Sequence, residues 1–191
     1  MIEIKRFDLD AEHYCVVWYD EYVDSPRNWW DSTKFCIRPH RRYNFPNELN
    51  YDWDSAAEDA GKLYEEYYIF ELDCYIHSGI TFSLSGCGIQ CRFDTSKNCG
   101  FIAVPKTIEW AVYSEEEAKR LASSALETYN QWLNWEVYEV LIFKHIPPIV
   151  QDGKTYTTPD DLIDSLCNIY DLAGVVDSFD SKFREVYLAN I

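Results

Sequence analysis

Positive charge is what this chain has least of. Seventeen Lys and Arg stand against thirty-three Asp and Glu, a formal net charge of −16 at pH 7. A direct grip on a nucleic-acid backbone needs cations to replace condensed counterions, so that class of activity is excluded. Adhesion to an anionic membrane surface is excluded for the same reason. Long apolar runs are lacking too: no stretch approaches the roughly 20 residues of a membrane helix, and residues 1–6 lack the apolar run of a secretory leader. A cytoplasmic protein is expected, its seven cysteines mostly reduced. Paired Cys-x2-Cys spacing is missing, so Cys87, Cys91 and Cys99 near His77 read as free thiols packed as small hydrophobes and not as a zinc site. The sequence has no Gly-rich loop ending in Lys, no His-Glu-x-x-His and no nucleophile elbow. No cofactor and no metal are expected. Repeats, low-complexity tracts and linkers are absent as well.

What is present suffices for a core. Nearly half the chain is hydrophobic, with seven Trp and fifteen Tyr. Those rings suit binding surfaces as well as interiors, because one edge stays polar. Residues 2–6, 14–19 and 33–38 read as strands, the second from its β-branched and aromatic run. Residues 55–67 carry Ala56, Ala57, Ala60, Leu63, Tyr64 and Tyr67 at helical spacing. Residues 68–77 alternate, with Tyr68, Phe70, Leu72, Cys74 and Ile76 on one side and Glu71 and Asp73 on the solvent side. Ser78 and Gly79 then mark a bend into a hairpin partner at 80–84. Residues 100–104 are a further strand.

The clearest helix starts at Ser114, which forms a capping box with Glu117. Ala118, Leu121, Ala122, Ala125, Tyr129, Trp132 and Leu133 line its apolar face. A strand follows at 137–144, then a hairpin turn at 151–154. Thr158 and Pro159 read as the cap and first residue of a second helix, with Leu162, Ile163, Leu166, Ile169 and Tyr170 as its face. A last short helix is expected at 180–188. Helices do not alternate strictly with strands. The predicted class is therefore α+β, a mainly antiparallel sheet with two or three packed helices. Residues 1–191 are read as a single domain, with 146–191 as a variable C-terminal helical extension.

Several short motifs stand out. They are Ser25 and Pro26 with Trp30 and Asp31, then His40, Arg41, Arg42 and Tyr43, then His77-Ser-Gly79, then Cys91, Asp94 and Ser96, then Gly100-Phe-Ile102. In order and spacing this set resembles a family of small acidic proteins carried by phages and plasmids, which have His-Ser-Gly, Trp-Asp-Ser and Gly-Phe-Ile. The resemblance spans roughly 25–144. Phe93 stands where that family has Trp, and Thr95 separates Asp94 from Ser96. The resemblance implies a mobile genetic context more than a reaction.

His77, Ser78, Asp94 and Ser96 contain the residue types of a nucleophile and its base. Adjacent side chains on a strand face opposite ways, however, so these residues read first as a turn held by side-chain bonds to backbone. Arg41 and Arg42 suit either a phosphate or intramolecular pairing with Glu48 or Asp52. The acids are uneven: residues 8–24 hold six and no Lys or Arg, and 48–73 hold nine and one Lys. Carboxylates interleaved with aromatic rings imitate a nucleic-acid backbone and attract a basic groove. The expected function is an anti-defence protein that binds and inhibits a host nuclease, a restriction enzyme or CRISPR effector. Glu58, Asp59, Tyr64, Glu65, Glu66 and Tyr67 are the expected contacts, and the chain is a monomer or homodimer. The alternatives are a small hydrolase using His77 and Asp94, and a structural accessory protein.

Overall fold

The computed structural model describes residues 2–26, 33–37, 63–109 and 111–191. Along the chain the strands are β1 (Glu3–Asp8), β2 (His13–Tyr19), β3 (Lys34–Ile37), β4 (Tyr67–Ile76), β5 (Ile80–Leu84), β6 (Thr95–Ser96), β7 (Gly100–Pro105), β8 (Thr107–Ile108) and β9 (Ala111–Val112). Helix α1 (Glu115–Leu133) precedes β10 (Tyr138–Lys144), β11 (Ile149–Gln151), β12 (Lys154–Tyr156), β13 (Asp161–Ile169) and α2 (Arg184–Leu188). Each strand pair among the described residues is antiparallel. The fold is α+β, as the sequence predicts. The chain divides into two compact units: Met1–Val23 with Trp135–Ile191, and Asp24–Asn134. Among the described residues no helix is long and apolar enough to cross a membrane.

In the unit Asp24–Asn134 the sheet runs β3-β7-β4-β5, with β6 also on β4. The first half of β4 pairs with β7 and the second half with β5, while β6 takes Cys74 and Tyr75 on the other edge. Helix α1 is fixed at its start by the expected capping box: the Ser114 side chain accepts from the Glu117 amide, and the Glu117 carboxylate accepts from the Ser114 amide. Ala118, Ala122, Ala125, Leu126 and Tyr129 pack on Phe35, Leu72, Cys74, Phe82, Ile102 and Val104. Three alanines in this stripe let the helix come close to the sheet. Leu121 was expected in the stripe and is 44% exposed. It flanks the contact face, beside Ala125 and Thr128, in a groove of about 260 Å³ that also touches Val104 and Pro105.

In the other unit the sheet order is β1-β2-β10-β13. Cys15, Val17, Val140, Ile142 and Ile169 form its core with Phe179, Phe183 and Tyr187 from the C-terminal turns and α2. Here the sequence reading of a helix starting at Thr158 fails: Asp161–Ile169 is a strand. Leu162, Leu166 and Ile169 are spaced by four and three, the helical signature. The register explains the second step: Val140 faces Leu166 and Tyr138 faces Ile169, so β13 spends three residues where β10 spends two, while a further shift sets Leu162 against Phe143, where it stays exposed. Asn168 absorbs the extra residue at φ 57°, a bulge that returns Ile169 to the core side. The expected C-terminal helical extension thus holds three strands before its helical turns, and the final helix follows a 3-10 turn at Ser181–Phe183.

Between β10 and β13 the chain projects as a two-stranded arm, β11–β12. Ile149 faces Tyr156, Val150 faces Thr155 and Gln151 faces Lys154. Asp152 and Gly153 close it with positive φ at both positions, as a two-residue type I′ turn requires.

Candidate functional site

The residues of the His-Ser-Gly and Asp94 segments converge at the turn end of the β4–β5 hairpin. Ile76 pairs with Ile80, so His77, Ser78 and Gly79 form the hairpin bend. The Ile76 amide donates to the Asp94 carbonyl at 2.9 Å, which brings the later segment alongside. Asp94 Oδ2 then lies 3.5 Å from His77 Nδ1 and accepts from the Cys91 thiol at 3.4 Å. Tyr75, two residues before His77 on the same face, stacks on its ring with centroids 6.3 Å apart. Ser78 is exposed on the bend and Ser96 half-buried in β6.

This geometry bears on catalysis. A nucleophilic pair needs a thiol or hydroxyl bonded to the imidazole. Here the imidazole and the thiol both meet the same carboxylate oxygen. The arrangement ties the 77–79 bend to the 91–94 segment at a surface position, and among the described residues no group of His, Cys, Asp and Glu is placed to hold a metal ion.

Both motif glycines have a packing reason. A Cβ on Gly79 would overlap the Asn134 side-chain oxygen, and one on Gly100, whose φ is 145°, would overlap the Cys36 carbonyl across the β3–β7 pair. Asn134 is there to serve β5: its side chain accepts from the Ile80 amide at 3.1 Å and donates to the Ile80 carbonyl at 2.8 Å. Gly79→Ala is expected to dislodge that amide and cost about 1–3 kcal/mol, the penalty for an unsatisfied buried polar group. Urea unfolding measures it; an unchanged midpoint would mean that Asn134 moves aside freely.

The 85–99 loop folds over the opposite face of β4 and buries Asp73, which the alternation had placed in solvent. Asp73 is 1% exposed. It accepts from the Gly86 amide at 2.9 Å, from Ser85 Oγ at 3.3 Å and from Lys97 Nζ at 2.7 Å. Gln90 bonds both Asp73 and Lys97. Burial alone would raise the Asp73 carboxyl, but the Lys97 ammonium and the Gly86 and Gln90 amides outweigh it and hold it below the ordinary range. Thr95 knots the rest of the loop, accepting from the Cys91 amide at 2.9 Å and donating to the Ile89 carbonyl at 2.7 Å. On this loop Phe93 is 86% exposed. No local signal announced the Asp73–Lys97 pair, because its partners are 24 residues apart.

Of the expected contact residues, Tyr64, Glu65 and Glu66 lie on a helical turn at 63–66, and all three are exposed. Lys106 Nζ donates to the Tyr64 carbonyl at 2.7 Å. Tyr67, expected on the same helix, begins β4 and pairs with Pro105, its ring beneath the Lys34 ammonium at 5.6 Å. Glu58, Asp59, Arg41 and Arg42 lie outside the described residues, as do the Trp30, Asp31, His40 and Tyr43 motif positions.

Cations are scarcest in the unit Met1–Val23 with Trp135–Ile191, which has sixteen Asp and Glu against six Lys and Arg. The other unit has seventeen against eleven. Between Lys154 and Lys182 there are six Asp and no cationic residue. At the Tyr138 end of the sheet, burial and the nearby Asp20 carboxylate raise the Glu139 carboxyl. At the other end Asp160 accepts from the Ile146 amide at 2.9 Å and lies 3.4 Å from His145. That amide, then the Tyr14 hydroxyl and His145, lower its carboxyl.

No family model, no curated protein and no solved structure matches this chain.

Proposed function

We propose that the protein is an inhibitor carried by a phage or plasmid, which binds a host nuclease and presents Asp and Glu where the nuclease receives nucleic-acid phosphates. One observation carries this reading: acids outnumber cations in both units, sixteen to six in Met1–Val23 with Trp135–Ile191 and seventeen to eleven in Asp24–Asn134. A one-signed surface focuses its field and accelerates encounter with a basic groove. Exposed Tyr64, with Glu65 and Glu66 beside it, supplies an aromatic anchor of the kind that dominates interface energies.

The test is a cleavage assay over a panel of purified restriction nucleases and CRISPR effectors, with and without the protein. Inhibition of at least one is expected, with DNA displaced from it. The association rate should fall steeply between about 0.1 and 1 M salt, as the screening length shrinks from about 10 to 3 Å. Glu65→Lys with Glu66→Lys should slow association without lowering the melting temperature. Inhibition whose association rate ignores salt would remove the mimicry mechanism, and His77→Ala or Asp94→Ala abolishing activity in a fully folded protein would favour an enzyme.

A further inference from the structure

The β11–β12 arm is anchored at its root and bare along its length. At the root, Asp160 holds the Ile146 amide, and the His145 amide donates to the Glu12 carbonyl at 2.8 Å. Along the arm, all six strand residues are exposed. Val150 is 72% exposed, and the facing pair Ile149 and Tyr156 are 57% and 52% exposed. Among the described residues these two strands pair only with each other. Two strands of three residues are marginal in water, and a third strand or a covering surface is what makes such a sheet stable. The fold therefore holds out an incomplete sheet with two open edges and uncovered apolar side chains.

Charge decides what completes it. Asp160, Asp161 and Asp164 follow the arm directly, and Lys154 is the one cation between residues 146 and 171. A second copy would bring the same acids against these, within a chain of net charge −16. We infer that the arm is a docking strand pair for an extended segment of a basic partner protein. That segment alternates Lys or Arg with apolar residues and adds as a third strand. Its backbone takes up the open edge, its apolar residues cover Ile149 and Tyr156, and its cations meet the aspartates. The inference rests on the reading of a basic partner given above and adds where and in what form that partner is held.

Amide exchange by NMR on the full-length protein tests it, with two blocked peptides as probes: alternating Lys and Val, and alternating Glu and Val. The Lys–Val peptide should slow exchange of the 149–156 amides by at least about tenfold, and the Glu–Val peptide should not. Asp161→Asn with Asp164→Asn should weaken the Lys–Val effect while leaving the free arm's spectrum in place. Ile149→Ser with Tyr156→Ser should abolish it at an unchanged melting temperature. Equal protection by both peptides, or none by the Lys–Val peptide at saturation, overturns the inference. So does a dimer by light scattering that Val150→Asp disperses, which would give the arm to a second copy. Arm protection alongside a nuclease panel with no inhibition would sink the nuclease reading alone; inhibition without arm protection would sink only the arm.

Discussion

Asp73→Ala is expected to destabilise the protein by about 3 kcal/mol, because it strands a set of donors that fold the 85–99 loop onto β4. The Gly86 amide and Ser85 Oγ lose their acceptor, while Gln90 Nε2 keeps the Gly88 carbonyl and Lys97 Nζ keeps Gln90. Lys97 is more than half exposed and rehydrates, so most of the cost falls on the amide and hydroxyl beneath the loop. A pH dependence follows with a definite sign. The folded Asp73 carboxyl titrates below its unfolded counterpart, which lies near 3.9. Its contribution is therefore present in full above that unfolded value and disappears as pH falls through the folded one. Urea unfolding between neutral and strongly acid pH should show the wild type losing stability on the acid side. Asp73→Asn should be weaker at neutral pH and have a flatter acid limb. If the mutant and wild-type curves stay parallel, Asp73 is not the group that titrates.

Asn130→Leu should be nearly as damaging, at about 2–3 kcal/mol, and more so when combined with Asn134→Ala. Strand β5 lies at the edge of its sheet. Its outer backbone is taken up by side chains of α1: Asn130 accepts from the Phe82 amide at 2.7 Å and donates to the Phe82 carbonyl at 2.8 Å. Asn134 does the same for Ile80 one helical turn on. The asparagine side chain mimics a peptide group, so two residues four apart on a helix match alternate residues of a strand. Leucine conserves volume and leaves the Phe82 amide and carbonyl unpaired at a buried position. A second consequence is association, because a bared strand edge pairs with another chain. Unfolding midpoints together with light scattering at rising concentration measure both effects. A double variant that stays monomeric and melts as wild type would show that β5 needs no cover.

How far the site was legible depended on sequence separation. The bend at Ser78 and Gly79, the partner strand at 80–84 and the hairpin turn at 151–154 are local patterns, and the structure has them where the sequence put them. His77 and Asp94 were singled out by residue type, and they do meet. The Asp73–Lys97 pair and the two asparagines were not legible. Each joins residues whose nearness is set by strand pairing, and nothing in the neighbouring sequence signals it. Asp73 shows this most directly: alternation assigned it to solvent correctly as far as the face of β4 is concerned, and a loop arriving from 85–99 then covered that face.

By itself the sequence determined the α+β class, the capped start of α1 and the acidity that limits what the protein can bind. These depend on nearest-neighbour chemistry: a Ser114 hydroxyl within reach of the Glu117 amide, alternation along 68–76, and a count of charges. Tertiary structure decided which apolar stripe of α1 faces the sheet, leaving Leu121 outside, and it decided that 161–169 is a strand. Leu166 and Ile169 satisfy a helix as well as a bulged strand, because one extra residue at Asn168 turns a period of two into a step of three. What settles that ambiguity is the ladder β13 forms with β10 and the closure of Ile169 over Val140 and Phe183. Those partners are far away in sequence, and their contribution exists only once the sheet is assembled.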